Sequence, residues 1–204
     1  MTRQTPEPLT RLPLDTSNRQ ARWLVRQIEA GDLDINPPYQ RGPVWTEDQK
    51  VALMRSLLSG VPVPILIIND RGSRQWTDTA TYDHSTGTGS ASYAVVDGKQ
   101  RLLCVAAWFG GHLAIPASWV PTEEVLYTEP TDDGPYVRYT GLTEMGRRRV
   151  GERILLPIGE ASVASLREEA AIYLLVNGGG TPQTDADMAR AAGVAEGNHT
   201  DASA

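Results

Sequence analysis

Ala94-Val95-Val96-Asp97-Gly98-Lys99-Gln100-Arg101-Leu102-Leu103 decides how the rest of the chain is read. β-Branched residues run into a glycine, as in a buried strand that breaks at Asp97-Gly98, and Leu102, Leu103, Ala106 and Ala107 then recur at helical spacing until Gly110-Gly111. Four polar residues therefore sit at a strand-to-helix corner. A helix start presents unpaired backbone N–H groups and a positive dipole, and a glycine there lets a ligand approach the main chain. With Lys99 and Arg101 on the same turn, the corner is a candidate phosphate site. The alternative is an ordinary connection in which Asp97 only caps the helix.

A chain of 204 residues with 40% hydrophobic content can bury a real core, as one domain or one domain plus a tail. The expected division is an irregular arm over 1–17, a domain over 18–194 and a small, polar, disordered tail over 195–204. The first residues are polar and proline-rich, and no apolar run approaches the roughly 20 residues that cross a bilayer, so a cytoplasmic protein without a membrane partner is expected. The single Cys104 excludes an internal disulfide, and His84, His112 and His199 lie too far apart for a structural zinc site. A net charge of -6 argues against non-specific coating of nucleic acid but leaves room for a local basic patch.

Outward from the centre, Ser17 or Asn18 is the expected cap of a helix carrying Trp23, Leu24 and Ile28 and ending at Gly31. A short extended piece, 33–36, runs into Pro37-Pro38-Tyr39-Gln40-Arg41-Gly42-Pro43-Val44-Trp45, where three prolines and a glycine forbid a helix. Polar Gln40 and Arg41 on this stiffened backbone suit a binding loop, whereas Tyr39 and Trp45 read as plugs of the core. Thr46-Glu47-Asp48-Gln49 is a capping-box pattern that opens a helix with Val51, Leu53, Met54, Leu57 and Leu58 on one face, stopped by Gly60. Residues 61–68 form a continuous apolar run, predicting a strand buried on both faces with its prolines at the entry. Residues 74–82 and 90–96 read as hairpin arms; the loop between them, 84–90, lacks the Gly-Lys-Ser/Thr ending of a phosphate loop.

After a loop-rich connector at 110–121, extended pieces near 125–127 and 136–139 are expected to finish or cover the sheet. Thr143 begins a helix holding Arg147, Arg148, Arg149 and Arg153. The triple arginine is a candidate DNA-binding cluster, although Glu144 and Glu152 favour a solvated face. A short strand at 154–158 precedes a helix over 165–176 with Ala170, Ala171, Leu174 and Leu175 inward, ending at Asn177-Gly178-Gly179-Gly180. Beyond Pro182, Thr184 is the expected cap of a final helix reaching about residue 192.

Three pieces, in this order and spacing, resemble the ParB/sulfiredoxin-like superfamily and within it the DUF262 type found at the N-terminus of GmrSD-like restriction proteins. They are Tyr39-Gln40-Arg41 with Trp45; Asp97-Gly98-Lys99-Gln100-Arg101, similar to an Asp-Gly-Gln-Gln-Arg signature; and Asn177-Gly178-Gly179-Gly180-Thr181-Pro182, similar to an Asn-x-x-Gly-x-Pro segment. The proline-rich strand entry at 61–64 also fits. Lys99 stands where the signature has glutamine, which makes this site more cationic than the pattern. No His-Asn-His arrangement follows Pro182, so the nucleotide-handling domain is expected to stand alone.

The resemblance implies an α+β fold, a compact ParB/sulfiredoxin-like mixed sheet with surrounding helices, whose motifs converge on one cleft. It implies triphosphate hydrolysis, DNA nicking or phosphoryl transfer. Asp97, Gln100 and Arg101 are then the expected catalytic residues, with Asp97 holding Mg²⁺ or orienting the nucleophile. Tyr39, Gln40, Arg41, Gly98, Lys99 and Asn177 are the expected nucleotide contacts, and Arg147, Arg148 and Arg149 the DNA contacts. The leading expectation is a nucleotide-binding domain that acts as a Mg²⁺-dependent nucleoside triphosphatase in restriction, phage defence or phage DNA metabolism. A phosphotransferase acting on a small hydroxyl compound or modified DNA base is the first alternative. The second is a non-catalytic DNA- or partner-binding adaptor switched by nucleotide, and the expected partners are nucleotide, DNA and a separate nuclease or effector chain.

Overall fold

The computed structural model describes residues 9, 11–83, 86–89, 91–178 and 185–196. In chain order they form β1 (Asp15–Gln20), α1 (Ala21–Ala30), β2 (Leu33–Asp34), α2 (Glu47–Leu58), β3 (Leu66–Asp70), β4 (Tyr82–Asp83), β5 (Thr88–Gly89) and β6 (Tyr93–Asp97). Then follow α3 (Lys99–Phe109), β7 (Ala114–Pro116), β8 (Glu129–Thr131), β9 (Gly134–Arg138), α4 (Glu144–Arg153), β10 (Leu155–Ala161), α5 (Leu166–Asn177) and α6 (Asp185–Ala195).

The principal sheet has the order β1-β10-β3-β6-β2. β10 runs parallel to β3 and β2 parallel to β6, while β1–β10 and β3–β6 are antiparallel, so the sheet is mixed and the fold is α+β as expected. Side chains alternate across a strand, and here both faces are covered. Leu66, Ile68 and Val95 join Leu24, Met54, Leu102 and Trp108 in the larger core, whereas Ile67 and Val96 join Tyr39, Ala170 and Tyr173 in the second. The first layer is thus built by α1, α2 and α3, and the second by α5 and α6. Cys104 is a free, buried thiol whose burial pushes its pKa up to about 12. No helix of the described residues is long and apolar enough to cross a membrane.

Local signals set several boundaries. Thr46 Oγ1 accepts from the Gln49 N–H at 3.3 Å and Gln49 Oε1 from the Thr46 N–H at 2.9 Å, the reciprocal box expected for α2. Thr143 and Ser165 cap α4 and α5. Elsewhere pairing overrides local preference. Residues 15–20, expected to end an arm and cap a helix, form the edge strand β1 against β10; α1 starts only at Ala21, after a Gln20 that makes no side-chain cap.

The apolar run at 61–68 becomes a strand only from Leu66, because its prolines cannot donate to a ladder and Arg101 takes the carbonyls of Pro64 and Ile65. Residues 74–81 are turns and irregular backbone rather than a hairpin arm, and β6 pairs with β3 instead. The pieces around 114–138 build their own antiparallel sheet, β7-β9-β8. On α5, Glu169, Ala170, Ile172 and Tyr173 face inward, while Ala171 is exposed and Leu175 is 82% exposed. The expected Thr184 cap, the tail from 197 and His84, Ser85 and Ser90 of the hairpin loop lie outside the described residues.

Candidate functional site

At the end of β6 the backbone turns through Gly98 at φ 98°, a left-handed conformation that side chains other than hydrogen resist. A Cβ here would stand 2.7 Å from Leu66 Cγ and 3.2 Å from Arg101 Nη2, so the corner has space only for glycine. Asp97 does not cap α3. Its Oδ2 accepts instead from Arg101 Nη2 at 2.7 Å, one helical turn on, and Arg101 Nη1 reaches the carbonyls of Pro64 and of Ile65, the latter at 3.3 Å. Burial draws the Arg101 pKa down, against the opposing pull of Asp97.

Beside this corner lies a cleft of about 140 Å³ that brings the three separated motifs together. Gln40, Arg41 and Trp45 come from the loop after β2, residues 97–101 from the corner, and Tyr173 and Asn177 from α5. Gln40 Nε2 donates to the carbonyls of Val95 at 3.0 Å and Val96 at 2.8 Å, which leaves its own side-chain oxygen unpaired among the described residues. Gln100 accepts from the Val44 N–H at 3.1 Å and donates to Gly42 O at 2.9 Å, buckling the loop onto α3. Asn177 Nδ2 donates to Tyr173 O at 2.9 Å.

Lys99 is only 6% exposed, and its Nζ donates to Asn36 Oδ1 at 2.8 Å. Burial lowers its pKa, partly offset by Asp34, while Arg190 lowers it further. Arg41 makes no hydrogen bond or ion pair among the described residues. Among the described residues that line it, the cleft therefore presents Arg41, Lys99 and Arg101 against the one carboxylate of Asp97. Such a surface can hold an anion with more than one charge.

The described residues contain no group of three or more His, Cys, Asp and Glu side chains able to cage a metal. Asp97 Oδ1 nevertheless carries no hydrogen bond from them. One carboxylate oxygen suits Mg²⁺ when substrate phosphates and water supply the remaining ligands. The donor set fits a metal that arrives with a phosphorylated ligand.

Tyr39 does not line the cleft. It is fully buried beneath it, with its hydroxyl donating to Glu169 Oε2 at 3.0 Å and its ring centroid 5.6 Å from that of Tyr173. This is the core plug read from the residue type, and it departs from the nucleotide contact implied by the resemblance.

Glu169, with Asn69, Arg71 and Asp34, was not picked out by sequence reasoning. Glu169 accepts from Arg71 Nε at 2.9 Å, Arg71 Nη2 at 2.8 Å and Asn69 Nδ2 at 2.8 Å, and Arg71 Nη1 donates to Asp34 Oδ2 at 3.1 Å. Burial pulls the Arg71 pKa down, but the bonds and charge of Glu169 outweigh it and the net shift is upward. Burial, then the Glu169 charge, raises the Tyr39 hydroxyl well above its ordinary value. The network ties the loop bearing Gln40 and Arg41 to the helix bearing Tyr173 and Asn177. The available signal was the spacing of Glu169, Tyr173 and Asn177, which recur every fourth residue on one helical face.

The arginine triplet lies apart from the cleft and is not one surface. Arg147 Nη1 donates to Leu142 O at 3.0 Å, Arg148 approaches exposed Glu152 at 3.6 Å, and Arg149 pairs with buried Glu124.

Comparison with known proteins adds one finding. The family model described as GmrSD restriction endonuclease, N-terminal domain, matches residues 23–145, a span that includes the Tyr39-Gln40-Arg41 loop and the 97–101 corner. No curated protein and no solved structure matches the chain. Since the match covers more than half of the sequence, from the first helix through the whole corner, the chain belongs to the family of GmrSD restriction endonuclease N-terminal domains.

Proposed function

We propose that the cleft takes the polyphosphate end of a nucleoside triphosphate and that the domain hydrolyses it as part of the restriction of foreign DNA. The observation that carries this reading is the meeting of Gln40 and Arg41, residues 97–101 and Asn177 around one cationic cleft. Arg41, which has no hydrogen bond or ion pair among the described residues, grips the terminal phosphate. Lys99, bonded to the neutral Asn36, keeps its charge and further N–H groups for the same anion. A charge-assisted hydrogen bond contributes about 1.5–3 kcal/mol, so a few of them hold a triphosphate at micromolar level after association costs.

Asp97 offers its open oxygen to Mg²⁺, which when bound polarises the phosphate oxygens. In hydrolysis a water oxygen bonds to the γ-phosphorus as the bond to the β–γ bridging oxygen breaks, and the water proton ends on the released phosphate. Gln40, through its unpaired side-chain oxygen, orients that water, while Arg41 balances charge on the equatorial oxygens. Arg101 and Gln100 act here as positioning residues, because their hydrogen bonds are committed to Asp97, to the strand entry and to the 42–44 loop.

Phosphate release from the four ribonucleoside triphosphates, with and without DNA, tests the reading. Release by the unmodified chain, lost in Asp97→Asn at unchanged nucleotide affinity, is expected. Absence of both binding and release under every condition refutes it, and label moving from triphosphate to a hydroxyl acceptor would transfer the assignment to a kinase.

A further inference from the structure

A larger groove, of about 890 Å³, opens between α1 and α4 and has no role in the nucleotide reading. Arg22 and Arg26 enter it from α1, and Arg147 and Arg148 from α4, on a chain whose net charge is -6. How these four cations are bonded decides what the groove can do. Arg22 Nη1 donates to the Tyr139 hydroxyl at 2.9 Å, and that hydroxyl donates in turn to Arg147 O at 3.1 Å. Arg147 Nη1 donates to the carbonyls of Leu142 at 3.0 Å and Thr140 at 3.5 Å.

All these acceptors are neutral. They orient Arg22 and Arg147 without cancelling their charge. Gly151 makes room for this: a Cβ there would stand 3.3 Å from Arg22 Nη1 and 3.4 Å from its Cδ. Arg26 is exposed and has no hydrogen bond or ion pair among the described residues. Arg148 and Glu152 are both well exposed and 3.6 Å apart, a pair too solvated to neutralise either. Among the described residues that line the groove, only Glu144 and Glu152 oppose the four arginines.

A polyanion satisfies this arrangement, and the aromatic residues narrow the choice. Proteins that hold single strands stack bases on open aromatic faces. Here the Trp23 ring is covered by the Arg19 guanidinium at 4.9 Å, and Tyr139, 6% exposed, packs edge-on against Trp108 and Phe109. Neither is free to stack. Phosphate contacts without base stacking are the mark of duplex backbone recognition. We propose that the α1–α4 groove is a docking surface for the phosphodiester backbone of double-stranded DNA, contacted by Arg22, Arg26, Arg147 and Arg148. Arg149, adjacent in sequence, is excluded from it by its ion pair with buried Glu124.

The test is fluorescence anisotropy of the full chain with a labelled duplex of about three helical turns, from about 50 to about 200 mM salt. Two charge reversals are compared, Arg26→Glu with Arg148→Glu in the groove, and Arg74→Glu with Arg167→Glu outside it. All four side chains are exposed and both pairs change net charge equally, so overall repulsion cancels in the comparison. The groove pair is expected to lose roughly tenfold or more in affinity and to flatten the slope of log K against log salt by about two, one unit for each phosphate contact removed. The outer pair is expected to keep the slope. Equal losses in the two pairs overturn the proposal, as does salt-insensitive binding by the unmodified chain or tighter binding of the single strand than of the duplex. These outcomes are independent of phosphate release by the cleft.

Discussion

Arg41 and Arg101 line the same cleft, yet removing them should do opposite things. Arg41 has no partner among the described residues, so Arg41→Ala leaves no buried group stranded and should alter stability by no more than about 0.5 kcal/mol. It does delete a charge-assisted phosphate contact of about 1.5–3 kcal/mol, which is roughly a 10- to 150-fold loss of triphosphate affinity. Arg101 holds Asp97 at 2.7 Å and the carbonyls of Pro64 and Ile65, and its side chain is 11% exposed against 21% for Asp97.

Breaking a fully buried pair costs about 3–5 kcal/mol; partial access of water to the stranded carboxylate reduces this to about 2–4 kcal/mol for Arg101→Ala. For a domain of this size that corresponds to a fall of roughly 4–16 °C in Tm. Thermal melts followed by circular dichroism, and titration calorimetry with a non-hydrolysable triphosphate, measure both quantities for both variants. Equal falls in Tm, or wild-type nucleotide affinity in Arg41→Ala, would show that the division between a free clamp and a structural pair is mistaken.

Gly98→Ala should cost about 2–4 kcal/mol in denaturant unfolding, from left-handed backbone strain of about 1–2 kcal/mol and the approach of the new methyl to Leu66. Tyr39→Phe removes one of the bonds to Glu169 and should lower stability by about 1–2 kcal/mol while leaving triphosphate affinity unchanged; a large affinity loss in a protein of normal stability would place Tyr39 in the cleft. Lys99 has its pKa drawn below the ordinary 10.5, chiefly by burial, so it loses its positive charge at a lower pH than an exposed lysine. Triphosphate affinity should therefore weaken with rising pH before the ordinary lysine value of 10.5 is reached, and Lys99→Arg, which stays charged, should remove that dependence. Identical pH profiles for the two proteins would exclude Lys99 as a phosphate contact.

What was legible in the sequence was whatever a few neighbouring residues determine. The Thr46–Gln49 box, the glycines after α1 and α3, and the β6-to-α3 corner each follow from chemistry within one or two turns. Sheet partners were less legible. The polar stretch DTSNRQ carries no strand signal of its own and becomes β1 only because β10 offers it a ladder. Conversely, 61–65 has the apolar content of a strand, but its prolines and the demand of Arg101 for two carbonyls keep it irregular.

The candidate cleft divides in the same way. The motifs named the residues that would meet, and Gln40, Arg41, residues 97–101 and Asn177 do meet. How each spends its hydrogen bonds is a different question, because a motif specifies proximity and not which donors remain open. Asp97 and Arg101 are four residues apart on adjoining elements, so a mutual ion pair was the cheapest way to bury both, and it leaves Arg41 and Lys99 as the charges available to an anion. The support beneath them could not be read locally at all. Arg71 and Glu169 are 98 positions apart, and a lone arginine after a strand or a glutamate in the first turn of a helix has an ordinary solvated explanation. Only the assembled sheet, with Asn69 on β3 and Tyr39 on the facing loop, turns them into a buried network, and that network fixes α5 and the Gln40–Arg41 loop as opposite walls of one cleft.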